Sequence, residues 1–337
     1  MEKTLDPRQD CGMKINVMSK SLFILLILVL FLFAPGFGQE KEPAPLNRPF
    51  RIGFLRTDEE QTLVPAWYES LKRFLLEQPS VASALEKYRF TSIILLQADG
   101  YRDMLQRMDL NEFDLAFCSS VIFVEQHGDY RPILQLRGDI FDSRGQGMTL
   151  HKGVIIIGRH SPLFPSENSS PDKIGEYIRS HSMAFVSPHN AAGYVYPRLS
   201  LWRSYGVREP GEFIFCGSSE EVVKYVVSGL VGIGACESTS LGTVLKTSCP
   251  NIPQENLVRI LCETAPAPTD PIVIRSFLHP QKSELGRALK GALKIFYNNP
   301  SRFSIPRVAD SRDENFKNLR EEIADFHSLS EVSSKDK

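Results

Sequence analysis

Two periods of apolar residues alternate along most of this chain. Short apolar runs bounded by turn-forming residues predict strands at 51–55, 90–97, 113–118, 132–136 and 153–158. Apolar positions at helical spacing predict helices at 63–76, 101–108 and 121–126. A polar, Gly-rich stretch covers 138–152, and the alternation then restarts. Helices are expected at 171–178, 194–205, 221–228 and 238–246, with strands at 183–186, 213–216 and 231–236. Strands at 257–262 and 271–275 flank a Pro-rich turn, Ala265–Pro268. A strongly amphipathic helix at 283–297 and a last helix at 314–326 complete the pattern. Ser218-Ser219-Glu220-Glu221 has the form of a capping box. Pro197 can begin or kink its helix but not sit in the middle of it.

This order implies an α/β fold of two lobes, each a mostly parallel sheet flanked by helices. The second unit lies between two parts of the first. Lobe one is expected at 50–150 and 246–326, lobe two at 151–245, and a polar tail at 327–337. The length of 337 residues, 42% of them hydrophobic, suits about two domains. Open α/β sheets bind ligands beyond the carboxyl ends of their strands, so the expected site is a cleft between the lobes.

The N-terminus carries an unbroken apolar run, Leu22 to Ala34, after Lys14 and Lys20 and before Pro35-Gly36-Phe37-Gly38. It is too short to span a bilayer and fits the apolar core of a secretory signal ending near Gly38. Residues 1–38 are therefore expected to be a signal peptide and 39–49 a linker, with an uncleaved anchor as the alternative. Thirty-nine Lys and Arg against forty Asp and Glu argue against a nucleic-acid partner. Of six cysteines, Cys11 falls in the expected signal peptide; Cys118, Cys216, Cys236, Cys249 and Cys262 remain as an odd, scattered set that reads mainly as buried thiols, leaving open a Cys249–Cys262 bridge. No Walker A, GxSxG, HExxH or complete GxGxxG motif is present, so no catalytic, cofactor or metal residue is expected. The seven histidines are scattered and read as surface or capping residues. Asn168-Ser169-Ser170 has the form of a glycosylation acceptor, and Arg137, Asp139, Asp142 and Arg144 read as a solvated loop or hinge.

The stretch Phe185 to Leu199 organises the candidate chemistry. A strand ends at Ser187-Pro188, and small residues Ala191, Ala192 and Gly193 precede helical spacing. Such a turn leaves first-turn N–H groups accessible to an anion. It can equally be a plain strand–helix connection, with Asn190 as the cap.

Several segments, in order, resemble one family. Arg51-Ile-Gly-Phe-Leu is similar to its first strand, and Ala98-Asp-Gly-Tyr101 with Glu112-Phe-Asp-Leu-Ala-Phe117 to its tyrosine-led helix and following strand. Phe185 to Pro197 resembles its central turn, D-P-x-S-T-S-G-Y-x-x-P. Gly217 to Val222 and Gly229 to Glu237 resemble its "G-S-H-E" helix and "G-x-V-D-A-G-A-x-D" strand. Glu263 to Pro271 resembles its Pro-rich return, and Val308 to Ile323 its terminal helix. The family is that of the PhnD-like phosphonate, phosphite and phosphate-binding proteins of ABC importers, and the likeness spans roughly 50–325.

The resemblance implies a two-lobed type II periplasmic-binding fold, a small oxyanion ligand, no catalysis and a membrane permease as partner. A monomer in the periplasm is expected. Carried over, Tyr101, Ser119, Ser120 and Phe123 would line the cleft from lobe one, and Asn190, Ala191, Ala192, Ser219 and Glu237 from lobe two. The family's Ser-Thr-Ser is Asn190-Ala191-Ala192 here, its histidine is Ser219, its Gly-Pro pair is Ser119-Ser120, the tyrosine that follows is Phe123, and a serine is Gly153. Each missing bond to a charged group is worth about 1.5–3 kcal/mol. The first reading remains a secreted solute-binding protein of an ABC importer; these departures motivate the alternative, a bilobal sensory or interaction protein with a degenerate anion site that signals to a membrane partner.

Overall fold

The apolar runs form two mixed sheets joined by a short ladder. The computed structural model describes residues 46–55, 66–138, 140, 148–164, 169–299 and 308–335, all within the unit Pro45–Lys337. The expected signal peptide, Asn168 and most of the 137–144 charge cluster lie outside the described residues.

The first sheet has the order β13 (Val308–Asp310), β4 (Tyr130–Leu136), β12 (Pro271–Arg275), β3 (Leu115–Phe117), β1 (Arg48–Leu55), β2 (Phe90–Ala98). Its β2–β1–β3 pairings are parallel, and β12, β4 and β13 extend it by antiparallel pairing. The second sheet has the order β10 (Val258–Glu263), β6 (Gly153–Gly158), β9 (Ile233–Glu237), β7 (Ser182–Phe185), β8 (Glu212–Phe215). There β9–β7–β8 are parallel, and β6 is antiparallel to both neighbours. Between the sheets, β5 (Leu150–His151) pairs antiparallel with β11 (Ala267–Pro268). Continuous burial of Gly153–Gly158 fits a central strand covered on both faces.

Helices α1 (Ala66–Glu77), α2 (Pro79–Lys87) and α9 (Glu284–Tyr297) cover one face of the first sheet, where Leu71, Leu75, Leu289, Leu293 and Phe296 are buried against Phe50 and Ile52. The α2 helix was not foreseen, although Pro79 begins it and Val81, Ala84 and Leu85 form its buried stripe. Helices α7 (Ser219–Ser228) and α8 (Ser238–Ser248) cover the second sheet. The expected cap is present: Ser218 Oγ accepts the Glu221 N–H at 3.2 Å. A third cluster joins both sheets, running from Met104 and Phe113 through Ile155 and Phe185 to Phe316, Leu319 and Ile323. The last two of these belong to α10 (Lys317–Lys335), which continues through most of the expected polar tail.

Three expectations change. Residues Val258–Glu263, expected in lobe one, pair with β6 of the second sheet. Strand β1 begins at Arg48, inside the expected linker, because Arg48 forms a bidentate pair with buried Asp114 at 2.6 and 2.6 Å. Val308–Asp310 is a strand on β4, not the start of the terminal helix. The five cysteines among the described residues are free thiols, so Cys249 and Cys262 form no bridge.

Gln135 of β4 ties both connections between the sheets to the C-terminal segment. Its amide donates to the carbonyls of Thr149 (3.2 Å) and Thr269 (2.9 Å), and its carbonyl accepts from Ser311 Oγ (3.2 Å) and Asn315 Nδ2 (3.0 Å).

Candidate functional site

The turn after β7 is shaped by three residues. Asn190 Oδ1 accepts the Gly193 N–H at 2.6 Å, which caps the turn. Pro197 has no N–H, so the Gly193 carbonyl lacks the i+4 donor of an α-helix; it accepts from the Val186 N–H at 3.3 Å. The first turn, Ala191–Val195, widens to π geometry, and α6 (Tyr196–Tyr205) follows. Helix geometry leaves the Ala191 and Ala192 N–H groups without intrahelical partners. The turn packs directly on β6: a Cβ at Gly153 would overlap the Ala192 carbonyl oxygen. Gly153, where the resembled family carries serine, is therefore what allows this close approach.

Facing elements bring further polar groups to the junction of the sheets. Glu237, at the end of β9, donates its N–H to Ser219 Oγ at 3.1 Å. Its carboxylate lies 3.5 Å from His151 Nδ1 on β5. On the first-sheet side, α3 (Tyr101–Asp109) starts at Tyr101, whose ring stacks on His189 with centroids 4.7 Å apart and planes 6° from parallel. Ser119 caps α4 (Ser120–Glu125), its Oγ accepting the Ile122 N–H at 3.2 Å. The Ser120 N–H donates to Asp270 Oδ1 at 3.0 Å. This helix start is thus already matched by a protein carboxylate.

Two buried atoms here, Ser120 Oγ and His151 Nε2, have no hydrogen-bond partner in the protein. Such atoms are uncommon and concentrate where ligands or water bind. Asp270 reaches solvent at a cavity wall but sits deep among protein atoms. That depth pushes its carboxyl up to about 6; His151 and the Ser120 N–H pull it down, and the Glu237 carboxylate pushes it up. Burial, then the Asp270 charge, raises the Cys118 thiol. Among the described residues no group of three His, Cys, Asp or Glu side chains is placed to hold a metal.

The structure thus places Tyr101, Ser119, Ser120, Asn190, Ala191, Ala192, Ser219 and Glu237 at or beside the junction. Phe123 instead packs edge-on against Phe316 at 4.8 Å, beneath the Arg320 guanidinium, and is 2% exposed. Asp270, His151 and His189 were not foreseen as site residues. Asp270 lies within the Pro-rich return, and the two histidines looked scattered because their partners are remote in sequence.

Comparisons agree with this architecture. The family described as ABC transporter, phosphonate, periplasmic substrate-binding protein matches residues 80–302. Among curated proteins none matches the chain. A Xanthomonas citri protein bound to chloride ion is 18% identical, with a TM-score of 0.60, covering 85% of this chain and 99% of its own. PhnD1 from Prochlorococcus marinus in complex with methylphosphonate is 16% identical, with a TM-score of 0.55, covering 83% of this chain and 98% of its own. A binding protein component of an ABC phosphonate transporter from Pseudomonas aeruginosa is 15% identical, with a TM-score of 0.53, covering 85% of this chain and 96% of its own. At these identities the likeness establishes the fold, a two-lobed periplasmic-binding architecture, and the family match establishes membership. No helix among the described residues is long and apolar enough to cross a membrane. The chain belongs to the phosphonate-binding periplasmic substrate-binding proteins of ABC transporters.

Proposed function

We propose that this chain is the secreted capture component of an ABC importer and holds a small oxyanion, phosphonate before phosphite or phosphate, between its lobes. One observation carries the reading. First-turn N–H groups at Ala191 and Ala192 lie at the junction where Tyr101 of one lobe stacks on His189 of the other. A ligand bridging that junction would favour the closed arrangement, which a membrane permease would then read. The orphaned Ser120 Oγ and His151 Nε2 are the side-chain groups suited to complete its hydrogen bonds.

A second reading has its own support. Alanines replace hydroxyl donors, the Ala192 carbonyl presses on Gly153, and Asp270 and Glu237 bring negative charge. These features suit a bilobal sensory protein whose anion site has degenerated.

Titration calorimetry and thermal shift against methylphosphonate, aminoethylphosphonate, phosphite and phosphate separate the two. A ligand at a hundredfold excess over its Kd stabilises by about 2.7 kcal/mol. For a chain of this size that raises Tm by about 5 °C. No response to any of the four removes the oxyanion reading. A permease and ATPase encoded beside this gene favour import, and a histidine kinase favours sensing.

A further inference from the structure

Beside the junction, a cavity of about 270 Å³ opens in the first lobe. Its wall includes Trp67, Tyr68, Phe117 and Tyr297, with Asp270 the only charged lining residue among the described residues. Phe117, the last residue of β3, packs against Trp67 of α1 and Tyr297 of α9. Trp67 stands edge-on to Phe117 (90°, 5.8 Å) and to Tyr297 (74°, 6.4 Å), while Phe117 and Tyr297 lie 35° apart in plane. Tyr68 stacks on Trp67 at 3.6 Å, so the four rings form one packed aromatic wall to the cavity. Asp270 Oδ1 is engaged by the Ser120 N–H, yet the residue stays exposed at the cavity, and aromatic walls beside an aspartate do not suit an anion.

We propose that this cavity binds an organic cation, a methylated or quaternary ammonium group, through its aromatic walls and the Asp270 carboxylate. Aromatic faces attract such cations electrostatically, and a strongly hydrated metal ion or a bare anion gains little from them. A carboxylate at the rim supplies the counter-charge without covering the rings. The cavity is at the small end of ligand pockets, which suits a headgroup rather than a large molecule. Asp270 also accepts the Ser120 N–H at the junction. A ligand with an ammonium end in this cavity and an anionic end at the Asn190–Gly193 turn would therefore span both. That extension rests on the proposed oxyanion reading; cation binding in the cavity does not.

The test is calorimetry of the secreted chain with tetramethylammonium and choline chlorides, against sodium chloride at equal ionic strength. The uncharged isostere of choline, 3,3-dimethylbutan-1-ol, is the comparison. Choline is expected to bind saturably and at least tenfold more tightly than the isostere. Trp67 fluorescence, isolated in a Trp202→Phe background, is expected to change with the same midpoint. Asp270→Asn and Trp67→Leu should each weaken choline at least tenfold, and Trp67→Phe should weaken it less than Trp67→Leu. No saturable binding up to about 10 mM overturns the proposal. Equal affinity for choline and its isostere also overturns it, because the cavity is then merely apolar. Methylphosphonate binding without choline binding sinks this inference and leaves the oxyanion reading standing; the reverse result does the opposite.

Discussion

Replacing Gly153 by alanine tests how the turn is seated on β6. The added methyl would overlap the Ala192 carbonyl oxygen and lie 3.1 Å from Thr264 Cγ2. Neither neighbour is free to move. Gly193, next to Ala192, is held by Asn190 through its N–H at 2.6 Å and by Val186 through its carbonyl at 3.3 Å. Thr264 and Gly153 exchange two bonds, Gly153 N–H to Thr264 Oγ1 and Thr264 N–H to the Gly153 carbonyl, each 2.9 Å. Gly153 is not among the residues with positive φ, so backbone conformation does not confound the experiment. Overpacking of this kind costs about 1–3 kcal/mol. Loss of the two Thr264 bonds adds about 1 kcal/mol each. The sum, about 3–5 kcal/mol, lowers Tm by about 6–10 °C for a chain of this length. Gly153→Ser should cost at least as much, so the serine of the resembled family cannot be restored alone. Circular dichroism melts and urea midpoints of both variants give the result. A change within about 0.5 kcal/mol, the range of ordinary surface substitutions, would refute the packing argument.

Asp270→Asn tests the electrostatics of the junction. Because the folded carboxyl is raised to about 6, the folded state holds this proton at pH values where the unfolded chain has released it. The associated stability is present below the unfolded value and is lost as pH rises through about 6. Melting from pH 4.5 to 7.5 should show the parent losing stability relative to Asp270→Asn; parallel curves would dismiss the shift. Gln135→Leu removes four hydrogen bonds among buried or half-buried groups and should cost about 3 kcal/mol by urea unfolding. A near-neutral result would mean those partners re-pair. Arg48→Met leaves Asp114, 0% exposed, with its backbone bond from Arg51 at 2.9 Å but no ion pair, and should cost about 3 kcal/mol. A parent-like urea midpoint would show that the β1–β3 join does not depend on that pair.

Most strands and helices were legible because their signals are local. The apolar run 153–158 could hardly be anything but a covered strand, and Ser218 announced the α7 cap. The misses have a common cause. Strands β5 and β11 pair over two residues each, too short to carry a period, and Val308–Asp310 became a strand only because β4 offered it an edge. Helix α2 is the exception: its Pro79 start and its apolar stripe are both local signals in the sequence. Glu237 and Ser219 were found through resemblance, yet their mutual bond joins an N–H and a hydroxyl eighteen positions apart. Phe123 shows the opposite failure. The resemblance sets it against a cleft tyrosine of the family, but here Phe316 and Arg320 pack on it.

The sequence by itself determined the alternation of strands and helices, the caps, the family and the turn at Asn190–Gly193. These depend on spacing within one or two turns, on the φ of proline and on the side chains at helix starts. Only the tertiary structure decided what meets that turn. Asp270 reaches Ser120 across 150 residues, Tyr101 finds His189, and Ala192 settles on Gly153. None of these has a local signature, because each pairs residues that the chain brings together only after both sheets have formed.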